Sequence, residues 1–316
     1  MYNLNDISVV IPTYNRAEDI KKTIDSFKKV ILRLNEVLII DQSKNDEVER
    51  LIKSMKDGKI KYFHIDVPSL TKARNFGIKN LSKKSSIVVF LDDDVTLDKD
   101  YFNEVLKIFN KFPDALGVGG YYLPPEKKKT NLVETALRRL FLIEHLELNN
   151  ARVLSSYGNT YPSRLTKTIK SQWIPGFNMA FKIGTFDEFS FDENLSGYAL
   201  AEDFDFSYRI YKKHPGALFI SPDAKLVHRA SIVERHPTEK ASYMNQTHHF
   251  YLNFKNFNSS LREKLTFFWV IFGISLLRTI QFLSTLKTAD KLKLKYYFKS
   301  LAYSLFNLNR IRKGYF

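Results

Sequence analysis

Three five-residue runs, almost wholly apolar, dominate the first hundred residues, and each stops abruptly. Ile7-Ser8-Val9-Val10-Ile11 ends at Pro12, Glu36-Val37-Leu38-Ile39-Ile40 at Asp41, and Ile87-Val88-Val89-Phe90-Leu91 at Asp92-Asp93-Asp94. Runs this short, without polar alternation, read as strands buried on both faces. Ile60 to Ile65 reads as a fourth strand. Between them Asp19 to Val30 (Ile20, Ile24 and Phe27 at helical spacing), Val48 to Met55 and Ser69 to Leu81 read as helices, the last with Leu70, Ala73, Phe76 or Gly77, and Leu81 facing inward. Strand and helix alternating through short loops predict an α/β fold with a doubly wound, mostly parallel sheet. Such sheets bind ligands outside the carboxyl ends of their strands, where Asp41 and Asp92 to Asp94 fall.

Beyond residue 120 the signals thin out. Thr130 to Leu148 reads as helical, Asn149 to Lys170 as a polar loop, and Gln172 to Lys182 and Ala217 to Ile220 as extended. From His236 aromatic residues multiply, acids nearly vanish and apolar residues recur at helical spacing, so a boundary is expected near 235. The expected domains are a catalytic one over 1–235 and a C-terminal helical, membrane-associating one over 236–316.

Two groups of acids invite chemistry. Three adjacent carboxylates at a strand end raise one another's pKa unless a cation is near. A hard divalent ion, Mg²⁺ or Mn²⁺, relieves that strain and stabilises a leaving diphosphate. The competing reading is a solvated acidic loop before a helix, since Asp98 and Asp100 follow. In the second group, Glu202-Asp203-Phe204-Asp205, Asp203 or Asp205 can cap the next helix, and Asp203 is assigned the role of general base. His228 ends a strand-like run and is either structural or a metal ligand. Lys72 and Arg74 either neutralise phosphate or line a solvated helix face.

These pieces together resemble the family-2 glycosyltransferases with the GT-A fold. The match is carried by Val10-Ile11-Pro12-Thr13-Tyr14-Asn15-Arg16, Ile39-Ile40-Asp41, Ala73-Arg74-Asn75-Phe76-Gly77-Ile78 and Phe90-Leu91-Asp92-Asp93-Asp94. It continues through Trp173-Ile174-Pro175-Gly176-Phe177-Asn178 and Glu202-Asp203-Phe204-Asp205 with Arg209. The resemblance implies that Pro12, Thr13 and Asn15 line the nucleotide pocket and that Asp41 bonds the base. It implies Arg74 near the base or diphosphate, Asp92 near the ribose, Asp94 on the metal, and His228 on the metal or diphosphate. Asp93 joins the donor-binding group without a role of its own. Trp173, Gly176, Asn178 and Glu202 shape the sugar and acceptor pocket, and Asp203 matches the family's base. Asp41-Gln42-Ser43-Lys44-Asn45-Asp46 departs from the family's acidic, glycine-containing turn, and 131–170 matches no motif.

The chain has no cysteine, which excludes disulfides and thiolate metal sites, and Met1 to Asp6 lacks the features of a signal peptide. The catalytic part is therefore expected on the cytoplasmic face of the membrane. Of the net charge of +15, residues 251–316 carry twelve cations against two acids, +10, leaving +5 for the rest. Leu265 to Leu277 is uncharged over 13 residues, short of the roughly 20 that span a bilayer. Reaching that length brings in Arg278, at a cost of about 2.5–3.5 kcal/mol at a bilayer centre. A helix lying in the interface is cheaper, so 261–316 is expected on an anionic membrane surface, with a helical cap on the catalytic domain as the alternative. No nucleic-acid motif is present, and no nucleic-acid partner is expected. The expected activity is an inverting transfer from a nucleotide sugar, a UDP-sugar first, to a glycan or lipid-linked acceptor in polysaccharide or glycoconjugate synthesis. The rivals are a nucleotidyltransferase and a non-catalytic basic protein binding membrane or nucleic acid.

Overall fold

The computed structural model describes residues 1–122, 132–143, 150–154, 158–229, 239–257 and 260–316. The chain divides into two compact units, Met1–Pro124 with Ser163–Ile232, and Pro125–Pro162 with Val233–Phe316. The boundary expected at 235 lies outside the described residues. So do parts of the expected 130–148 helix and 149–170 loop.

In the first unit β1 (Ile7–Thr13), β2 (Glu36–Asp41), β3 (Ile60–His64) and β4 (Ile87–Leu91) alternate with α1 (Ala17–Ile31), α2 (Glu47–Met55) and α3 (Leu70–Lys79). Then come β5 (Val95–Leu97), α4 (Tyr101–Lys111) and β6 (Gly117–Tyr121). After 162 follow β7 (Ile169–Ser171), β8 (Asn178–Lys182), α6 (Glu202–Lys213) and β9 (Leu218–His228). The sheet order is β3-β2-β1-β4-β8-β6-β9-β5, with β7 on β9. The chain steps outward from β1 to β3 and returns to β4 on β1's other side, so the order reverses between β1 and β4. A crevice opens at such a switch point beyond the strands' carboxyl ends.

β1, β2 and β4 are buried throughout, as their unbroken apolar runs require. Ile7, Val9 and Ile11 face one core with Ile20, Ile24 and Phe109, and Val10, Leu38 and Phe90 face the other with Phe181 and Phe206. The sheet is mixed: parallel across β3-β2-β1-β4, antiparallel where β8 inserts between β4 and β6. An antiparallel strand brings its beginning to the edge where its neighbours end. Asn178 therefore pairs with Leu91, and the loop before it, Trp173–Phe177, is delivered to the ligand edge. Of the stretch 172–182 expected to be extended, 178–182 is strand, and a second short strand, 169–171, precedes it.

The inward face of α3 is wider than expected: Ala73 and Gly77 are buried and Phe76 and Leu81 pack on the core as the spacing predicts, but polar residues join them. Thr71, Ala73, Arg74, Asn75 and Gly77 are buried, whereas Leu70, Phe76 and Leu81 are half-buried. Polar groups can turn inward because each finds a partner. Thr71 Oγ1 donates to Leu195 O (2.9 Å), and Asn75 Nδ2 donates to Phe191 O (2.9 Å) and Glu193 Oε1 (2.9 Å).

The second unit holds α5 (Leu132–Leu140), α7 (Glu239–Asn256), α8 (Leu261–Thr285), α9 (Thr288–Phe306) and α10 (Leu308–Ile311). A reciprocal cap starts α8: Ser260 Oγ accepts from Glu263 N (3.2 Å) and Glu263 Oε2 from Ser260 N (3.0 Å). The helix runs 25 residues, well past the 13-residue uncharged stretch, and within it Arg278 stacks on the Tyr297 ring, 4.6 Å from its centroid. It is the one helix among the described residues long and apolar enough to cross a membrane.

Candidate active site

The aspartates leave β4 at the switch point. Asp93 turns back toward β1: its Oδ2 accepts from Thr13 Oγ1 (2.8 Å) and its Oδ1 from Arg16 Nη1 (3.1 Å). Burial pushes the Asp93 carboxyl up to about 7, with Arg16 and Thr13 pulling the other way. Asp93 thus has a partner set that the sequence left unassigned. It fixes the turn from which Asp92 and Asp94 project.

β9 brings His228 to the same place. Val95 pairs with His228 across the antiparallel β5–β9 ladder, which sets the imidazole beside the residue preceding Val95. His228 Nε2 lies 3.0 Å from Asp94 Oδ1, and its ring stacks on Phe177 at 4.6 Å. Asp92, Asp94 and His228 each offer one ligand atom, all within 4.8 Å of one another. Burial raises the Asp92 carboxyl, countered by Arg74 and reinforced by the neighbouring Asp94. A buried and a half-buried carboxylate with an imidazole at this spacing fit a divalent cation, and the nitrogen donor suits Mn²⁺ better than Mg²⁺.

Arg229, which no sequence pattern singles out, ties this turn down. Its backbone N–H donates to Asp94 O (2.9 Å). Its Nη1 donates to Val95 O (2.6 Å) and Thr96 Oγ1 (2.6 Å). Its Nη2 donates to Asp19 O (3.0 Å), Thr23 Oγ1 (3.0 Å) and Asp93 O (3.3 Å). One guanidinium thereby joins α1, the aspartate turn and the end of β9.

Arg74 does not face solvent as a helix cation would, whereas Lys72 does. Arg74 is fully buried: Nη1 donates to Glu202 Oε1, and Nη2 to Asp92 Oδ1 (3.3 Å) and Gly176 O (2.9 Å). Burial opposes its charge, but Glu202 and Asp92 outweigh it and hold the guanidinium pKa above its ordinary value. Burial also pushes Glu202 up, to about 8, against the pull of Arg74.

Gly176 connects these groups to Asp203. Its carbonyl accepts from Arg74, and its N–H donates to Asp203 Oδ2 (2.7 Å). A Cβ at 176 would lie 2.9 Å from Glu202 Oε1 and 3.0 Å from Asp203 Cβ, so glycine is what allows the loop this close. Asp203 Oδ1 accepts from Phe204 N (2.8 Å). Burial raises the Asp203 carboxyl, and the two N–H groups offset part of that rise. Neither Asp203 nor Asp205 caps α6: Ala201 holds the cap position at φ 66°, without a side-chain bond. Asp205 is paired with Arg209 instead (2.9 Å).

The remaining candidates sit farther back. Asp41 is fully buried at the end of β2, accepting from Ser43 N (2.9 Å) and Tyr62 Oη (2.9 Å). Asn178 is buried, and its Oδ1 accepts from Gly120 N. Trp173 is 8 % exposed and tilts against Phe204. Pro12 is buried within β1, and Asn15 is exposed with φ 54°.

A family model described as glycosyl transferase family 2 matches residues 8–170, 163 of 316 and so just over half of the chain. The chain belongs to that family. Among family relatives, an uncharacterized glycosyltransferase of Rickettsia conorii is 37 % identical over 132 residues, 40 % of this chain and 21 % of the relative. The chain spans at most 48 % of the curated relatives it matches. Two of the solved structures that share the fold illustrate the likeness. One is a mannosyltransferase, PcManGT from Pyrobaculum calidifontis, in complex with GDP-Man and Mn²⁺ (TM-score 0.56, 16 % identity, 95 % of this chain, 86 % of that one). The other is GalNAc-T7 with UDP, GalNAc and Mn²⁺ (TM-score 0.61, 16 % identity, 96 % of this chain, 57 % of that one). At such identities the likeness establishes the GT-A fold, as the family-2 resemblance anticipated.

Proposed function

We propose that this chain is an inverting glycosyltransferase that takes a nucleotide-sugar donor, a UDP-sugar first, and a divalent cation. The observation that carries the reading is the meeting of Asp92, Asp94 and His228 beyond β4 and β9, bridged through Arg74 and Gly176 to Asp203. Asp92, Asp94 and His228 would hold Mn²⁺, which supplies positive charge against the diphosphate as it leaves. Complexes of GDP-Man with Mn²⁺ and of UDP with Mn²⁺ in the two structural neighbours support a nucleotide diphosphate beside that metal.

Asp203 acts as the base. Its raised pKa suits a group that must take a proton, and its two N–H contacts fix the carboxylate's direction. As the acceptor oxygen bonds to the anomeric carbon, Asp203 receives its proton, and the bond from that carbon to the diphosphate breaks on the opposite face. One displacement needs one base and inverts the centre. Glu202 and Arg74 act behind it, fixing Gly176 and Asp92 relative to each other. Pro12, Thr13, Asn15, Asp41 and Asp93 belong to the donor side, several as supports of the pocket wall, and Trp173 and Asn178 to the acceptor side.

The partners proposed are a glycan or lipid-linked acceptor and, through 261–316, an anionic membrane surface on the cytoplasmic side. The apolar α8 and the +10 charge of 251–316 support the membrane assignment. Asp203→Asn tests the mechanism. Donor binding is expected to persist while transfer falls at least about 100-fold; undiminished transfer removes Asp203 from the base role.

A further inference from the structure

Helix α8 is apolar on two opposite sides. Phe267, Val270, Ile271 and Gly273 are buried within its own unit, while Leu265, Phe268, Trp269, Phe272, Ile280 and Leu283 are exposed. At about 100° per residue the six exposed side chains share one arc of about 120°. Between Leu265 and Leu283 the sole charge is Arg278, which falls on the other side, against Tyr297.

α5 extends this face. Trp269 Nε1 donates to Leu140 O (2.9 Å), and the Phe141 ring packs against Trp269 (4.9 Å) and Phe272 (5.7 Å). Gly273 admits Phe141, since a Cβ there would overlap it. The contact leaves a hollow of about 670 Å³ walled by Leu142, Leu265, Phe268, Trp269 and Phe272, with Thr266 as its one polar lining residue.

Charge says what covers the face. On the outward side of α9, Lys291 and Lys295 alternate with Phe298 and Leu305, while Lys299 pairs with Glu239 of α7 (2.9 Å) and Tyr297, Ser300 and Ser304 turn inward. The two acids of 261–316 are engaged locally, Glu263 in the Ser260 cap and Asp290 with Thr285 (2.8 Å) and Lys293 (3.5 Å), which leaves the cations in excess. Lysines interleaved with aromatic and aliphatic groups fit a surface that is anionic outside and apolar beneath.

We infer that the outward face of α8, extended by α5 and flanked by the lysines of α9, docks on an anionic phospholipid bilayer with α8 lying along the interface. This rests on the membrane assignment above and adds orientation and determinants. Length permits a crossing, about 37 Å against a core of about 30 Å. Packing opposes it. α7 buries Gln246, His248 and Asn253, α9 buries Ser300 and Ser304, and Phe267 of α8 packs on Phe250 at 4.9 Å. A crossing would strip those helices from α8 or carry their polar groups into hydrocarbon.

The test uses the full chain with vesicles of phosphatidylcholine alone or mixed with phosphatidylglycerol. Wild type is expected to sediment with the anionic vesicles and to weaken as salt rises. Phe272→Asp, and separately Lys291→Glu with Lys295→Glu, are expected to lower partitioning at least about 10-fold with unchanged circular dichroism. Trp269 emission is expected to be quenched more by lipids brominated near the ester end of the chain than by those brominated near its tip. Absence of vesicle binding, or self-association lost in Phe272→Asp without vesicle binding, overturns membrane association altogether. Salt-resistant binding with strongest quenching from the chain tip leaves membrane association standing and overturns the interfacial orientation.

Discussion

Arg229 and Gly176 show how single residues build this site out of distant parts. Arg229 holds the Asp93–Thr96 turn through carbonyls and hydroxyls spread over three elements, a reach that lysine's single ammonium lacks. Arg229→Ala and Arg229→Lys are both expected to weaken Mn²⁺ binding about 10–100-fold, read by calorimetric titration, with the fold intact. Gly176→Ala forces a Cβ against Glu202 and Asp203. It is expected to cost about 1–3 kcal/mol in thermal denaturation and to slow transfer beyond what the lost stability explains. Neither role can be read from the sequence. Arginine after a strand-like run carries no local mark, and its importance depends on backbone groups more than a hundred positions away. Gly176 sits in a recognisable motif, yet its crowding against Asp203 becomes visible only when β8 and α6 are brought together.

At the level of elements, the start of β2 is a clasp. Glu36 Oε1 accepts from Ser82 N (2.6 Å) and Ser8 Oγ (3.2 Å), and Oε2 from Lys61 Nζ (2.7 Å), joining β1, β3 and the approach to β4. Burial opposes the Glu36 charge, but Lys61 and the Ser82 N–H outweigh it and hold the carboxyl below its ordinary value. A depressed folded pKa stabilises above the unfolded value and is lost as pH falls through the folded one. The stability gap between wild type and Glu36→Gln is therefore expected to be full at neutral pH and to close on acidification below pH about 4, measured by urea unfolding. The strands themselves were legible, because apolar runs of five residues have few other uses. α3 was legible in part: helical spacing pointed Ala73 and Gly77 inward and Phe76 and Leu81 onto the core, as found, but gave no sign that satisfied hydrogen bonds turn Thr71, Arg74 and Asn75 inward as well. The true start of α8 was written in Ser260 and Glu263, a capping pair three residues apart.

Across the whole molecule, the metal-binding candidates come from the middle and the end of the first unit's chain and meet because β5 pairs with β9. The sequence located Asp92 and Asp94 by their place after a buried strand. It offered His228 as either structural or a metal ligand from its place at a strand end, and only the family resemblance favoured the metal, since a lone histidine 134 positions on from Asp94 has no periodicity to reveal it. On the proposed reading donor, metal and base are one construction, and they should fail together or separately in a defined way. The most direct measurement is the thermal stability of wild type and Asp94→Asn with UDP-sugars, with and without Mn²⁺. A donor and Mn²⁺ together are expected to raise the wild-type Tm by several degrees, as ligand linkage requires at about 100 Kd, with neither alone sufficient and Asp94→Asn unresponsive. Donor stabilisation that is independent of Mn²⁺, or undiminished in Asp94→Asn, would contradict the account.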